Sequence, residues 1–230
     1  MVHGRLQVDM IITQQKPLQE LLKYLKKAEK IFLIGCGECS TTCKTGGEEQ
    51  VLGLKSALEK AGHFITGWAV PDAPCIAAQV RMIFAKKLKE IREADSIMVL
   101  SCGLGAQSVK ENDRFAKPVH IACDTLFMGA INKEGAFREK CSACGECVLD
   151  MTGGICPITL CAKGILNGPC GGSNKGKCET DRDMDCAWAL IYNELKKEDR
   201  LDLMRAFQPP KDHSKTNKPR RLTLAASLPA

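Results

Sequence analysis

The sequence predicts an α/β protein, an open parallel sheet flanked by helices, followed by a cysteine-rich, metal-held C-terminal module. Two observations carry this. Short, fully apolar runs alternate with amphipathic stretches as far as Ala122, and eight of the 14 cysteines crowd between Cys141 and Cys186, where large aliphatic residues are scarce. A chain of 230 residues is long enough for one ordinary domain and a smaller one beside it. The divisions expected are an N-terminal extension 1–16, an α/β domain 17–135, a cysteine-rich module with closing helices 136–207, and a basic flexible tail 208–230.

Within the α/β domain, Leu18, Leu21, Leu22, Leu25 and Ala28 recur at helical spacing, and Ile31-Phe-Leu-Ile34 then reads as a buried strand stopped by Gly35. Val51, Leu54, Leu58 and Ala61 line a second helix that ends near Gly62, before the strand 63–70. Ile76, Val80, Ile83, Leu88 and Ile91 lie along one face of a third helix, which leads to the strand 96–100. After a short polar segment and Pro118, Val119-His-Ile-Ala122 forms a fourth apolar stretch. Strands apolar on both faces and separated by helices belong to parallel sheets covered on both sides.

Cys36, Cys102 and Cys123 come at or just after strand ends, and Cys75 lies in the loop after another strand. Open parallel sheets bind ligands outside the carboxyl ends of their strands, so these loops deliver thiols to one edge. The run Cys36-x2-Cys39-x3-Cys43, rich in small residues, suits three thiolates bent around one inorganic centre. A fourth ligand must come from elsewhere: Cys102 is the first choice and Cys75 the contender. Cys123 reads better as a small buried hydrophobe. Gly35-x-Gly37 after a strand is no dinucleotide fingerprint, since Ser40 stands where the third glycine belongs and thiols would crowd a pyrophosphate. Gly171-x4-Gly176-Lys177-Cys178 imitates a phosphate loop but lacks its hydroxyl and a preceding strand.

In the second half, Cys141-x2-Cys144-x2-Cys147 has the spacing of bacterial ferredoxins, and Cys156-Pro157 resembles their separated fourth ligand. The departure is the gap of eight residues between Cys147 and Cys156, where the ferredoxin run has three, so which cysteine completes which site stays open. Cys161, Cys170, Cys178 and Cys186 remain for a second site. Five large aliphatics between Thr152 and Asp183 are too few to offset the ordering of that glycine-rich stretch, so bound metal is expected to cross-link it. Zinc competes with iron–sulfur here, although a zinc ribbon uses two separate C-x2-C knuckles rather than a triplet. Met184, Ala187, Trp188, Ile191 and Leu195 then form an amphipathic helix expected to pack on the sheet domain, with presentation of Trp188 to a partner as the alternative. Leu201, Met204 and Phe207 follow it.

Net charge and composition narrow the partners. Of the formal +6, five basic residues (Lys211, Lys215, Lys218, Arg220, Arg221) against Asp212 supply +4, leaving the rest nearly neutral. No basic, aromatic stripe points to nucleic acid, and no apolar run approaches the roughly 18 residues that span a bilayer. The first residues lack the apolar core and cleavage site of a signal peptide, so a cytoplasmic location is expected, where cysteines serve as ligands or redox thiols more than as disulfides.

Taken together, Cys141-x2-Cys144-Gly-Glu-Cys147-Val-Leu-x2-Thr152-Gly-Gly-Ile-Cys156-Pro, Cys161-Ala-Lys-x3-Asn167-Gly-Pro-Cys170-Gly-Gly and Cys178-x7-Cys186-Ala-Trp resemble the MetV-type small, iron–sulfur subunit of methylenetetrahydrofolate reductase, with its cysteine-rich reductase C-terminal domain. The resemblance extends back through Ser101-Cys102-Gly103 to the Cys36 loop and covers roughly residues 11–212. It implies an electron-transfer subunit without a catalytic residue of its own. Its partner would be a flavin-containing catalytic subunit that reduces 5,10-methylenetetrahydrofolate to 5-methyltetrahydrofolate, with a ferredoxin or other redox subunits as further partners. In that picture Cys36, Cys39, Cys43 and Cys102 hold one [4Fe–4S] cluster, and Cys141, Cys144, Cys147 and Cys156 are ligands of at least one more. Cys161, Cys170, Cys178 and Cys186 take a further cluster or zinc. The alternatives are a structural zinc subunit that stabilises its partner without carrying electrons, and an independent thiol-redox or folate enzyme using Cys36 and Cys39 as a redox pair.

Overall fold

The computed structural model describes residues 10–27 and 29–222, in two compact units divided between Phe137 and Arg138. The first is built on a four-stranded parallel sheet of β2 (Lys30–Ile34), β3 (Phe64–Ala69), β4 (Ser96–Val99) and β5 (Val119–Ile121), in the order β3-β2-β4-β5. Central β2 is buried along Ile31–Ile34 because both its faces are covered. Phe32 and Ile34 pack with Val80, Phe84, Ile91 and Val109, whereas Ile31 and Leu33 pack with Leu21, Val51, Leu54 and Leu58. These side chains come from α4 (Ala77–Lys86), α5 (Leu88–Glu93) and α6 (Gly103–Asn112) on one face, and from α1 (Leu18–Leu22) and α3 (Glu48–Lys60) on the other. Alternate residues of an extended chain point to opposite faces, so an uninterrupted apolar run is what a strand between two helical layers requires.

The helices follow the apolar periodicity with instructive departures. α3 opens with Glu48 and Glu49 in its first turn, complementing the dipole, and stops before Gly62, whose φ of +89° few other residues adopt. The single helix expected over 76–91 is two, because Lys87 leaves the helical region (φ −112°, ψ 28°) and the chain bends there. The first helix is shorter than its periodicity suggests, and Ala28, counted in it, lies outside the described residues. α6 occupies what reads as a short polar segment. It is built from small residues that fit only tightly: a Cβ on Gly105 would stand 2.4 Å from Ser101 Oγ.

One strand falls within the expected N-terminal extension. β1 (Met10–Gln15) pairs antiparallel with β6 (Cys123–Ile131), from Met10 opposite Gly129 to Gln15 opposite Cys123. A further strand, β7 (Phe137–Cys141), carries the chain into the second unit.

The second unit has little regular structure besides α7 (Pro157–Leu160) and α8 (Ala187–Lys197). α8 buries Trp188, Ile191 and Leu195, which pack with Cys186 and with Ile155, Leu201, Leu203 and Met204. Its apolar stripe is thus satisfied by residues of its own unit, and Trp188 is a core residue. Met184, counted in the stripe, precedes the helix and is exposed, as is Phe207, because the helix starts only after Cys186.

Leu33→Ala empties a fully buried position between β2 and α3 and is expected to lower stability by about 2–5 kcal/mol, whereas Leu52→Ala on the exposed face of α3 changes it by about 0.5 kcal/mol or less. Urea unfolding midpoints of the two variants check this.

Candidate functional site

Parallel pairing brings the carboxyl ends of β2, β3, β4 and β5 to one edge, and four loops carry cysteines there. Cys36 follows β2, Cys75 lies beyond β3, Cys102 is the N-cap of α6 after β4, and Cys123 starts β6 just after β5. Cys39 opens α2 (Cys39–Thr42) within the β2 loop. That loop is folded tightly on itself. The Cys36 N–H donates to Gly46 O at 2.8 Å, the Thr41 hydroxyl to Cys36 O at 2.7 Å, and the Gly37 N–H to Pro71 O at 2.8 Å. Gly46 has no room for a side chain, since a Cβ would stand 1.9 Å from the Leu100 carbonyl at the end of β4. The close approach of these backbones sets the loop between neighbouring strand ends.

The electrostatics of this edge link five thiols. Burial pushes Cys36 up, opposed by the N–H groups of Ser40 and Glu38, while a thiolate on Cys39 raises it further and the Ser40 hydroxyl lowers it. The Ser40 oxygen is fully buried and forms no hydrogen bond of ordinary geometry, although it stands close enough to the Cys36 sulfur to favour its thiolate. The Cys36 thiol itself donates to Asp72 O at 3.7 Å. Burial also raises Cys75, followed by repulsion from Cys102 and Cys39. Cys123 is pushed up to about 12, mainly by burial, with smaller contributions from Cys102 and Cys36, and its thiol donates to Thr45 O at 3.5 Å. Cys39 and Cys102 thus lie close enough to Cys75, and Cys36 and Cys102 to Cys123, for a charge on one thiol to be felt by another. Cys43, at the end of α2, instead donates to Ile11 O on β1 at 3.8 Å.

In the second unit the cysteines form two groups. Cys141 ends β7, and the Ala143 N–H donates to its sulfur at 3.3 Å. Ala143 and Gly145 adopt left-handed conformations (φ +52° and +78°), which curl the backbone of the triplet. The Cys144 thiol is held below its ordinary value by the Glu146 backbone; partial burial opposes this, and the Lys211 ammonium, 3.1 Å from the sulfur, reinforces it. Cys156 is the N-cap of α7, where the Thr159 hydroxyl donates to Lys140 O at 3.2 Å, tying the turn after Cys156 to the strand that ends in Cys141.

Cys161, Cys170, Cys178 and Cys186 all line one cavity of about 10 Å³, beside Lys163, Glu179 and Trp188. The Thr180 hydroxyl, 3.1 Å from the Cys178 sulfur, holds that thiol below its ordinary value. Lys163 and Glu179 form an ion pair at the wall, and the Trp188 ring, whose Nε1 donates to Ile165 O at 2.9 Å, forms another side. The ring also excludes any side chain at Gly168, where a Cβ would stand 2.2 Å from it.

All 14 cysteines are free thiols. Among the described residues, no three of His, Cys, Asp and Glu converge closely enough to grip a metal ion. The four sulfurs of the last group share a cavity wall without meeting at ligand distance. Sequence reasoning missed Ser40 and Lys211. Ser40 carries no signal beyond being a small residue in a cysteine loop, and Lys211 lies 67 positions from the thiol it contacts.

Among the described residues, no helix is long and apolar enough to cross a membrane. Residues 120–214 match the model of a family described as methylene-tetrahydrofolate reductase C terminal. This stretch holds every cysteine from Cys123 to Cys186 and also Lys211, but not the loops of Cys36, Cys39, Cys75 and Cys102. No curated protein and no solved structure matches the chain.

The Cys123 thiol is expected to resist iodoacetamide at pH 8 in the folded, metal-free chain and to react only in denaturant. Because its folded value lies above its ordinary value of 9.0, its contribution to stability is complete below about pH 9 and declines as pH rises toward about 12. Peptide mapping after alkylation and urea unfolding of wild type and Cys123→Ala across that window check both.

Proposed function

We propose that this protein is an iron–sulfur electron-transfer subunit that exchanges electrons with a flavin-containing catalytic subunit reducing 5,10-methylenetetrahydrofolate to 5-methyltetrahydrofolate. The observation that carries the reading is the delivery of Cys36, Cys39, Cys75 and Cys102 by three loops to the carboxyl ends of parallel strands, close enough that Cys75 feels the charge of Cys39 and Cys102. The family matched by residues 120–214 supports the choice of reductase. A catalytic subunit with its own flavin and folate sites would leave this chain the task of conduction.

A [4Fe–4S] cluster supplies one-electron transfer when bound, and this chain's residues set its surroundings. In this proposal the sheet-edge centre draws on Cys36, Cys39, Cys102 and Cys75, with Cys43 left to β1. Burial of Cys36 and Cys102 would keep water from a centre held there. Cys141, Cys144 and Cys147 form three corners of a second centre, with Cys156 as the fourth ligand.

A specific observation favours zinc for the remaining group. The cavity shared by Cys161, Cys170, Cys178 and Cys186 is about 10 Å³, the room of one water-sized sphere. A single tetrahedral ion needs less room among these four thiols than a cubane does, and either would require the sulfurs to close in from where they stand. Zinc there would fasten a loop region short of apolar core. The wholly structural reading, zinc without electron transfer, extends this observation to the other cysteines.

Anaerobically purified protein is expected to carry about eight irons with matching acid-labile sulfide and about one zinc per chain, and to absorb near 400 nm. Cys75→Ser should remove about four irons and Cys43→Ser none. Zinc alone in a colourless protein would overturn the electron-transfer reading in favour of the structural one.

A further inference from the structure

The segment after the 3-10 turn at Leu201–Arg205 lies across the Cys141–Cys147 loop and is fastened to it at several points. The Lys211 ammonium stands 3.1 Å from Cys144 Sγ and also donates to Glu146 O. The Asp212 N–H donates to Glu146 Oε2 at 2.9 Å, and the Lys215 ammonium pairs with Glu146 Oε1 at 2.9 Å. Farther along, the Arg220 guanidinium donates to Ala143 O at 2.7 Å. Gly145 lies under this crossing, where a Cβ would come within 3.1 Å of Lys215 Cβ.

An exposed basic segment usually contributes little through its ion pairs. Lys211 differs in its partner. Lys215 and the Asp212 amide already occupy both oxygens of the Glu146 carboxylate, so Lys211 is left to a backbone carbonyl and a sulfur. A neutral thiol gives an ammonium little reason to stay, whereas a thiolate shared with a metal is a charge-assisted acceptor. The Cys144 thiol also donates to Glu146 O at 3.5 Å, so Lys211 reaches both the sulfur and the carbonyl that the thiol uses.

We propose that Lys211–Arg220 is a cationic strap whose Lys211 donates to the Cys144 sulfur, raising the reduction potential of the centre on the Cys141–Cys147 loop and slowing loss of its metal. This rests on the reading of Cys144 as a ligand. The sign follows from charge: one-electron reduction adds a negative charge to the centre, and a fixed positive charge beside a ligand sulfur stabilises the reduced form more than the oxidised one. Lys211 is a positioning residue, acting on the centre through Cys144. Glu146 anchors the strap by holding Asp212 and Lys215.

The test compares full-length wild type with Lys211→Met, Lys211→Gln, Lys211→Arg and the exposed control Lys133→Met, all purified anaerobically. Midpoint potentials are read by electron paramagnetic resonance during dithionite titration, and metal release is followed with a chromogenic chelator. Lys211→Met and Lys211→Gln should shift one centre to lower potential and release its metal about 10-fold faster, while Lys211→Arg and Lys133→Met stay near wild type. Should the Cys141–Cys147 centre hold zinc, the release rates alone carry the same comparison. A metal-loaded wild type whose potentials and release rates do not respond to Lys211→Met, with circular dichroism unchanged, overturns the strap but leaves the electron-transfer reading standing. A wild type without metal at Cys141, Cys144 and Cys147, seen as alkylation of all three thiols in the native chain, overturns the ligand reading and the strap together.

Discussion

The parallel pairing of β2 with β3 and β4, and of β4 with β5, decides where each chain segment leaves the first unit's sheet. Parallel strands turn at the same end, so loops that are distant in sequence become neighbours without any bond between them. The constraint that keeps this register is burial. Ile31 to Ile34 are covered on both faces, and a slip by one residue would exchange the Phe32–Ile34 pair, packed with Val80 and Phe84, for Ile31 and Leu33, shaped against Val51 and Leu58. The placement of Cys36, Cys75 and Cys102 is a consequence of core packing, set by side chains remote from the thiols.

The second unit solves a different problem. Its loops have few apolar residues to bury, and α8 supplies much of what core there is, with Ile191 and Leu195 fully covered by Ile155 and by the turn at Leu201–Met204. Cys186, at the head of that helix, belongs to both this core and the cysteine-lined cavity. A metal at the cavity would be tied directly to the helix that orders the unit, so metal binding and folding would be coupled. The left-handed residues Ala143, Gly153, Gly164, Gly171 and Gly176 mark the bends that glycine-rich composition permits and that apolar packing alone would not select.

The sheet was legible because β2, β3, β4 and β5 are short apolar runs whose meaning does not depend on distant partners. β1 and β6 were not, since they form an antiparallel pair that is only half buried, and neither carries a clean alternation. That omission bears on the candidate site. Compact spacing groups Cys36, Cys39 and Cys43 as one triplet; the spacing does not reveal that the Cys43 thiol also reaches a carbonyl on β1. Cys75 is the reverse case: it is isolated in sequence, yet close enough to Cys39 and Cys102 to feel their charge. α6 escaped notice because Gly105, Ala106 and Ser108 are buried through smallness rather than hydrophobicity.

The three cysteine groups differ in the charge their surroundings tolerate, which bears on what each could do. At the sheet edge, burial works against extra negative charge and holds Cys36 above its ordinary value, with the Ser40 and Glu38 backbone opposing it only in part. Around Cys144, exposure is greater and a full positive charge has been brought to the sulfur. Around Cys161, Cys170, Cys178 and Cys186 the walls are an indole, an ion pair and a helix start, with little spare volume. A site that must accept and release an electron needs surroundings that respond to a change of one charge; a site that only fastens a fold needs a fixed geometry. In the proposed reading the first two groups would carry electrons and the third would hold a single structural ion. The division follows from polarity and space around the sulfurs rather than from the spacing of cysteines along the chain.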